Sequence, residues 1–102
     1  MADITAAELH QRQQAGETPT ILDVRETWEF EEGHIPGAQN IPLNSLPGKL
    51  DDLEELKDQE IIVHCKGGSR SVSARAYLTQ QGFTNVRNLA GGYQAFAAAG
   101  AS

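Results

Sequence analysis

Residues 61–78 constrain the fold of this chain more than any other stretch, because a strand, a glycine-rich turn and a helix follow one another there without interruption. Residues 61–63 read Ile-Ile-Val, a β-branched run typical of a strand buried in a sheet. From Val72 onward the residues favour a helix. The turn between these elements contains two glycines and begins at Cys65, the only cysteine of the sequence. A strand that enters a helix through such a turn points several backbone N–H groups at one place.

The position of Cys65 predicts an acidic, nucleophilic thiol. The N–H groups of the turn, the dipole of the following helix and the positive charge of Arg70 all favour the thiolate over the thiol. We therefore expect the pKa of Cys65 to lie below that of a free cysteine, and its sulfur to lie at the surface of the loop beside a bound anion. The alternative is a buried structural cysteine, as most lone cysteines are. The combination of Gly67, Gly68 and Arg70 within five residues of Cys65 favours the reactive cysteine.

The turn resembles the active-site loop of rhodanese-like sulfurtransferases, in which four residues separate a cysteine from an arginine. The residues that carry this resemblance are Cys65, Lys66, Gly67, Gly68, Ser69, Arg70 and Ser71. Residues 23–38 resemble a second signature of the family: Asp-Val-Arg, then a glutamate with an aromatic residue, then Gly-His-Ile-Pro-Gly-Ala. Near the C-terminus, two glycines before Tyr93 extend the resemblance over nearly the whole chain.

The resemblance implies a single rhodanese domain over residues 1–102, with a five-stranded, mostly parallel sheet and helices on both faces. The alternation of strands and helices along the chain independently predicts the α/β class. A first helix is expected over residues 4–15, because Thr5 and Glu8 form a capping-box pattern. Proline in the second predicted strand indicates an edge position for it. The predicted strands cover residues 20–24, 40–43, 61–63 and 85–89.

The resemblance also implies a thiosulfate-type sulfurtransferase. Cys65 would attack the outer sulfur of the donor and hold it as a persulfide, which cyanide or a thiol then removes. The N–H groups of residues 66–71 are expected to stabilise the charged sulfur, while Lys66 and Arg70 attract the sulfonate group of the donor. Lys66 is equally compatible with a solvated surface lysine. Ser69 or Ser71 is expected to cap the helix, with its hydroxyl within reach of the persulfide.

Asp23 and Arg25 follow a predicted buried strand and are expected at the carboxyl edge of the sheet, where open α/β proteins form their sites. We interpret the two residues as an electrostatic brace for the Cys65 loop. The expected partners are a small anionic sulfur donor and a thiol acceptor, either a small molecule or a protein such as a thioredoxin. The expected chemistry needs no metal or organic cofactor.

Composition disfavours several other classes of partner. A net charge of −6 is unfavourable for binding to nucleic acid or to anionic membranes. No apolar run is long enough for a transmembrane helix, and the start Met-Ala-Asp-Ile-Thr lacks the pattern of a signal peptide. A single cysteine excludes an intramolecular disulfide and fits a reducing compartment, so a cytoplasmic location is expected.

Two interpretations from other classes are disfavoured by particular residues. A Cys-based phosphatase or arsenate reductase has five residues between cysteine and arginine, whereas position 71 of this chain is a serine. A non-catalytic binding module of the family usually lacks the cysteine, which is present here as Cys65. A persulfide carrier that acts with a partner protein fits the sequence as well as a thiosulfate enzyme does.

Overall fold

The fold is built on a four-stranded parallel sheet, as seen in a computed structural model that describes residues 3–100. Its strands are β1 (Thr20–Asp23), β2 (Gln39–Asn40), β3 (Ile61–His64) and β4 (Val86–Asn88). They lie in the order β2-β1-β3-β4, and each neighbouring pair is parallel. The expected α/β class and parallel sheet are confirmed.

The sheet has four strands where the family resemblance implies five. In place of a fifth strand, Ile4 forms one isolated parallel bridge with Leu89, directly after β4. Thr5 already caps the first helix, α1 (Ala6–Gln14). Within residues 3–100, this single bridge is the extended pairing found beside β4 on the side away from β3.

Helices cover both faces of the sheet. Ile61 and Val63 point into a hydrophobic cluster on one face, and Ile62 points into a second cluster on the other. Because alternate residues of a strand face opposite sides, the two clusters confirm helices on both faces. None of the helices within residues 3–100 is long and apolar enough to cross a membrane. The helices are α1, α2 (Thr27–Glu32), α3 (Leu46–Leu53), α4 (Ser69–Gln80) and α5 (Gly92–Gly100).

Local signals in the sequence set the ends of two helices. At the start of α1, Glu8 N–H donates to Thr5 Oγ1 at 3.1 Å, and Thr5 N–H donates to Glu8 Oε1 at 3.3 Å. This is the predicted capping box, which satisfies backbone donors that a helix start otherwise leaves free. At the end of α4, Gly82 has a φ of +96° and Phe83 N–H donates to Leu78 O at 3.1 Å. That geometry is a Schellman cap, in which the glycine accepts a positive φ without strain.

The predicted edge position of the second strand is confirmed, although the strand is shorter than expected. β2 covers Gln39–Asn40 rather than residues 40–43, and it pairs only with β1. Pro42 lies outside the strand and directly before a 3-10 turn, Leu43–Ser45. Backbone hydrogen bonds to the β1 segment continue past the strand, because Ile41 N–H donates to Asp23 O at 2.9 Å and Leu43 N–H donates to Val24 O at 3.0 Å. Pro42 lies between these two donors, and its missing N–H suits the unpaired side of an edge strand.

Candidate active site

The helix that follows Cys65, α4, starts earlier than expected, at Ser69 rather than at Val72. Gly68 precedes the helix with a φ of +121°, a conformation that residues with a side chain rarely adopt. The N–H of Val72 donates to Gly68 O at 3.2 Å and closes the first turn. The expected start at Val72 is wrong because it relies on the first apolar residue, whereas the polar residues before it already lie in the helix.

Cys65 lies in the core and not at the surface of its loop. Its relative exposure is 1%, and it belongs to the same hydrophobic cluster as Val63 and Ala74. The expectation of a surface thiol is therefore wrong. Cys65 directly follows β3, so its side chain continues the alternation that already directs Ile61 and Val63 to this face.

Donors at the start of α4 surround the sulfur of Cys65. Gly68 N–H donates to Sγ at 3.1 Å, and Ser71 Oγ lies 3.5 Å from Sγ. Burial by itself raises the pKa of Cys65, but the Ser71 hydroxyl and backbone N–H groups lower it by more, so the pKa lies below its ordinary value. The N–H groups that contribute belong to Gly68, Arg70 and Ser71. The site can therefore hold a sulfur anion within an apolar core.

We expect the rate of alkylation of Cys65 by iodoacetamide to rise with pH around a midpoint below roughly 8.5, the value of a free thiol. Hydrogen bonds that stabilise the thiolate keep it populated at lower pH. Since the chain has one cysteine, the rate reports this site alone. Burial slows the reaction without moving its midpoint, and the same chain unfolded in urea is the control. A folded midpoint at or above the unfolded one would contradict the stabilising role of these donors.

Arg70 is paired with a carboxylate that the sequence does not identify. Its Nη1 and Nη2 donate to the two oxygens of Glu29 in α2, at 2.7 and 3.1 Å. Arg70 holds the pKa of Glu29 at about 2, so the carboxylate is ionised throughout the physiological range. The pKa of Arg70 is raised by Glu29 first and also by Cys65. Arg70 thus interacts electrostatically with both Cys65 and Glu29, and part of its charge is already balanced.

Lys66 directly follows Cys65 and is exposed to solvent. Its side chain is exposed, as are Gly67 and Ser69, whereas Gly68 and Arg70 are half-buried and Ser71 is buried. Lys66 lines a pocket of about 250 Å³ together with Trp28 and Tyr93. Three of the residues predicted to hold the substrate are therefore exposed, and the other three are half-buried or buried.

Asp23 and Arg25 lie at the expected edge of the sheet, but their contact with the loop is indirect. Both side chains are buried, and Arg25 Nη2 lies 2.8 Å from Asp23 Oδ2. Arg25 also donates to Gly33 O at 2.7 Å, and its guanidinium lies 4.5 Å from the ring centre of Tyr93. Tyr93 N–H in turn donates to Cys65 O at 2.8 Å. The buried pair is therefore linked to the loop through Tyr93.

Gly92 is a site residue whose role the sequence does not predict. It begins α5 with a φ of +61°, and a Cβ at this position would lie 2.5 Å from Cys65 O and 2.6 Å from Lys66 O. The next two N–H groups, of Tyr93 and Gln94, donate to those same carbonyls at 2.8 and 3.2 Å. The start of α5 is thus packed directly on the backbone of the loop, and a glycine is needed for this close approach.

A second, larger cavity of about 810 Å³ lies away from Cys65. It is lined by residues at the amino end of the sheet, among them Thr20, and by His10 and Pro36, and it includes no residue of the active-site loop. Nowhere along residues 3–100 do three His, Cys, Asp or Glu side chains come together in a way that could hold a metal ion.

Comparison with known proteins agrees with this geometry. A family model described as Rhodanese-like domain matches residues 5–99. A sulfurtransferase of Allochromatium vinosum is 36% identical over 95 residues, which is 93% of this chain and 87% of that protein. YrkF of Bacillus subtilis, described as a candidate sulfur carrier protein, is 37% identical over 88% of this chain and 48% of its own length. The crystal structure of a rhodanese-related protein from Thermoplasma volcanium superposes with a TM-score of 0.84 at 35% identity, over 98% of this chain and 94% of that one.

Proposed function

Because the chain belongs to the rhodanese-like domain family, we propose that it transfers sulfane sulfur through a persulfide on Cys65. One observation carries the proposal. The sulfur of Cys65 is buried in the core, yet it accepts a hydrogen bond from Gly68 N–H and lies at the N-terminus of α4. Such surroundings favour an anion on sulfur.

In the first half of the proposed reaction, the Cys65 thiolate attacks the outer sulfur of thiosulfate. A bond forms between the two sulfur atoms, the S–S bond of thiosulfate breaks, and sulfite leaves with the electron pair. The negative charge of the thiolate reappears on the outer sulfur of the persulfide. The N–H groups of the helix start stabilise this charge as an oxyanion hole stabilises oxygen.

In the second half, cyanide or a thiolate attacks the outer sulfur of the persulfide. The S–S bond breaks, its electron pair returns to Cys65, and thiocyanate or a new persulfide leaves. No proton is transferred in either half once the thiol is ionised, so the site needs no general base. Gly68 N–H and the Ser71 hydroxyl, which contact Cys65 Sγ, can donate hydrogen bonds to an anion and are not bases.

The mass of the intact protein after incubation with thiosulfate tests the proposal. We expect a gain of one sulfur atom, about 32 Da, that excess cyanide removes with the formation of thiocyanate. Reversal by cyanide distinguishes a persulfide from oxidation of the thiol by two oxygen atoms, which has nearly the same mass. A chain that gains no mass from thiosulfate would exclude thiosulfate as the donor.

Replacing Lys66 with alanine is expected to raise KM for thiosulfate about twofold to fivefold with little change in kcat, the effect of losing one exposed attractive charge. The difference from the unaltered protein should shrink as salt is added. Lys49→Ala, at an exposed position in α3, is the matched control for loss of one positive charge. If Lys66→Ala and Lys49→Ala have the same KM and kcat for thiosulfate, Lys66 does not attract the donor and is a solvated surface lysine.

A persulfide carrier is the second candidate function, and exposed Trp28 favours it. Trp28 is 63% exposed and lines the same pocket as Lys66. An exposed tryptophan beside a reactive loop is typical of a surface that contacts a protein partner. The test is to incubate the chain separately with thiosulfate and with a persulfidated protein. If the chain gains sulfur from the persulfidated protein but not from thiosulfate, the result favours a carrier over a thiosulfate enzyme.

A further inference from the structure

The hydroxyl of Ser71 has three neighbours and one proton. It lies 3.1 Å from Gly68 O, 2.5 Å from Oδ1 of Asn88 and 3.5 Å from Cys65 Sγ. Ser71, Asn88 and Cys65 are all buried, so no exposed side of the group offers solvent as a substitute partner. Where the single proton points therefore decides whether the sulfur receives a hydrogen bond.

The orientation of the Asn88 side-chain amide decides where the Ser71 hydroxyl proton points, and the amide has two possible orientations. With Oδ1 toward Ser71, the amide accepts the hydroxyl proton and leaves none for the sulfur, an arrangement that suits a neutral thiol. With the amide rotated by half a turn, Nδ2 donates to Ser71 Oγ, and the hydroxyl proton is left to Gly68 O or to Cys65 Sγ. Of these two acceptors, a thiolate attracts the proton more strongly because it carries a full negative charge. The two orientations occupy the same volume, so hydrogen bonding selects between them. The rotated form needs a separation longer by a few tenths of an ångström, since N–H···O bonds span about 2.7–3.2 Å.

We propose that Asn88 is a positioning residue, which donates to Ser71 and so directs the Ser71 hydroxyl onto the thiolate of Cys65. Asn88 is the last residue of β4, and it pairs in register with Val63, two residues before Cys65. The pairing of β3 with β4 thus fixes the distance between the amide and the active-site helix. The role deepens the proposed function and rests on the same Cys65 site.

Other charged or titratable groups near the sulfur are unchanged by an alteration of Asn88. Arg70 is held by Glu29, and His64 is buried beside Asp23, with His64 Nε2 3.6 Å from Asp23 Oδ2. Burial lowers the pKa of His64, which is therefore neutral near pH 7. These side chains bind partners other than Asn88, so a shift in the titration of Cys65 reports the Asn88–Ser71 contact.

The test compares pH profiles of iodoacetamide alkylation for Asn88→Leu, Ser71→Ala and the double variant. We expect Asn88→Leu to lower the thiolate-to-thiol ratio at a fixed pH about threefold to tenfold, the range for loss of one hydrogen bond. In the Ser71→Ala background, the same change should have no further effect, because the hydroxyl through which Asn88 acts is already gone. Asn88→Ala is the second variant if leucine does not fit, and thermal unfolding checks that each variant folds.

The direction in which the thiolate-to-thiol ratio of Cys65 changes in Asn88→Leu can overturn the proposal. If Asn88 withdraws the proton from the sulfur, its removal releases the Ser71 hydroxyl and the thiolate-to-thiol ratio rises. If Asn88 acts only through packing, its effect persists in the Ser71→Ala background. Because alkylation needs no sulfur donor, these results do not depend on thiosulfate being the substrate, and failure of the sulfur-transfer proposal would be seen separately by mass.

Discussion

Cys65→Ser is expected to abolish sulfur transfer, with thiocyanate formation falling about a thousandfold or more, as for other enzymes that lose their nucleophile. A serine hydroxyl is not ionised near neutral pH and forms no persulfide. The variant should fold, because the smaller hydroxyl can still accept from Gly68 N–H and lie near Ser71. Burial of a hydroxyl in this apolar cluster is expected to cost about 1–2 kcal/mol of unfolding free energy.

Thiocyanate formation and intact mass measure the loss, and urea unfolding measures the stability. Ser73→Ala, at an exposed position in α4, is a control that leaves the Cys65 surroundings intact. A Cys65→Ser protein that still forms thiocyanate at a rate above background would disprove the proposed persulfide. A protein that unfolds entirely would instead identify Cys65 as essential to the core.

Gly92→Ala is expected to be the most destabilising of the glycine substitutions near the site, by about 3 kcal/mol or more. The positive φ of +61° costs an alanine about 1–2 kcal/mol. The added methyl group would also lie 2.5 Å from Cys65 O and 2.6 Å from Lys66 O, which forces the loop and α5 apart. Sulfur transfer should fall as well, since the displaced backbone belongs to the loop that surrounds the sulfur.

Gly48→Ala is the matched control for Gly92→Ala. Gly48 lies in α3, and a Cβ there meets no atom within 4 Å. Alanine is the better helix former, so this variant should be unchanged or more stable by up to about 1 kcal/mol. Both are measured by urea unfolding. Equal stability of the two variants would contradict the close packing of α5 on the loop.

Local chemistry made much of this fold predictable. The capping box of Thr5 and Glu8 and the Schellman cap at Gly82 each depend on residues within a few positions of one another. The edge position of β2 followed from the absent N–H of Pro42. The start of α4 was missed because its first turn is polar, so apolar periodicity begins only at Val72. A fifth strand, which residues 3–100 do not form, was expected from the resemblance and not from any local pattern.

The contacts around Cys65 were harder to predict, because they join residues far apart in the sequence. Glu29 binds Arg70 across 41 positions, and Asn88 binds Ser71 across 17. The loop motif identifies Arg70 and Ser71 but does not predict which distant residues they contact. Glu29 was visible only as the glutamate of the second signature, with no indication that it reaches the loop.

The burial of Cys65 Sγ determines which atom of a persulfide an acceptor can attack. A nucleophile can attack either sulfur of an S–S bond. Attack on the outer sulfur transfers it, whereas attack on the inner sulfur expels hydrosulfide and leaves the acceptor disulfide-bonded to the protein. With Cys65 only 1% exposed, the inner sulfur is shielded by the core from a thiol of ordinary size. We therefore expect burial to make the proposed reaction regioselective and to prevent formation of a dead-end mixed disulfide.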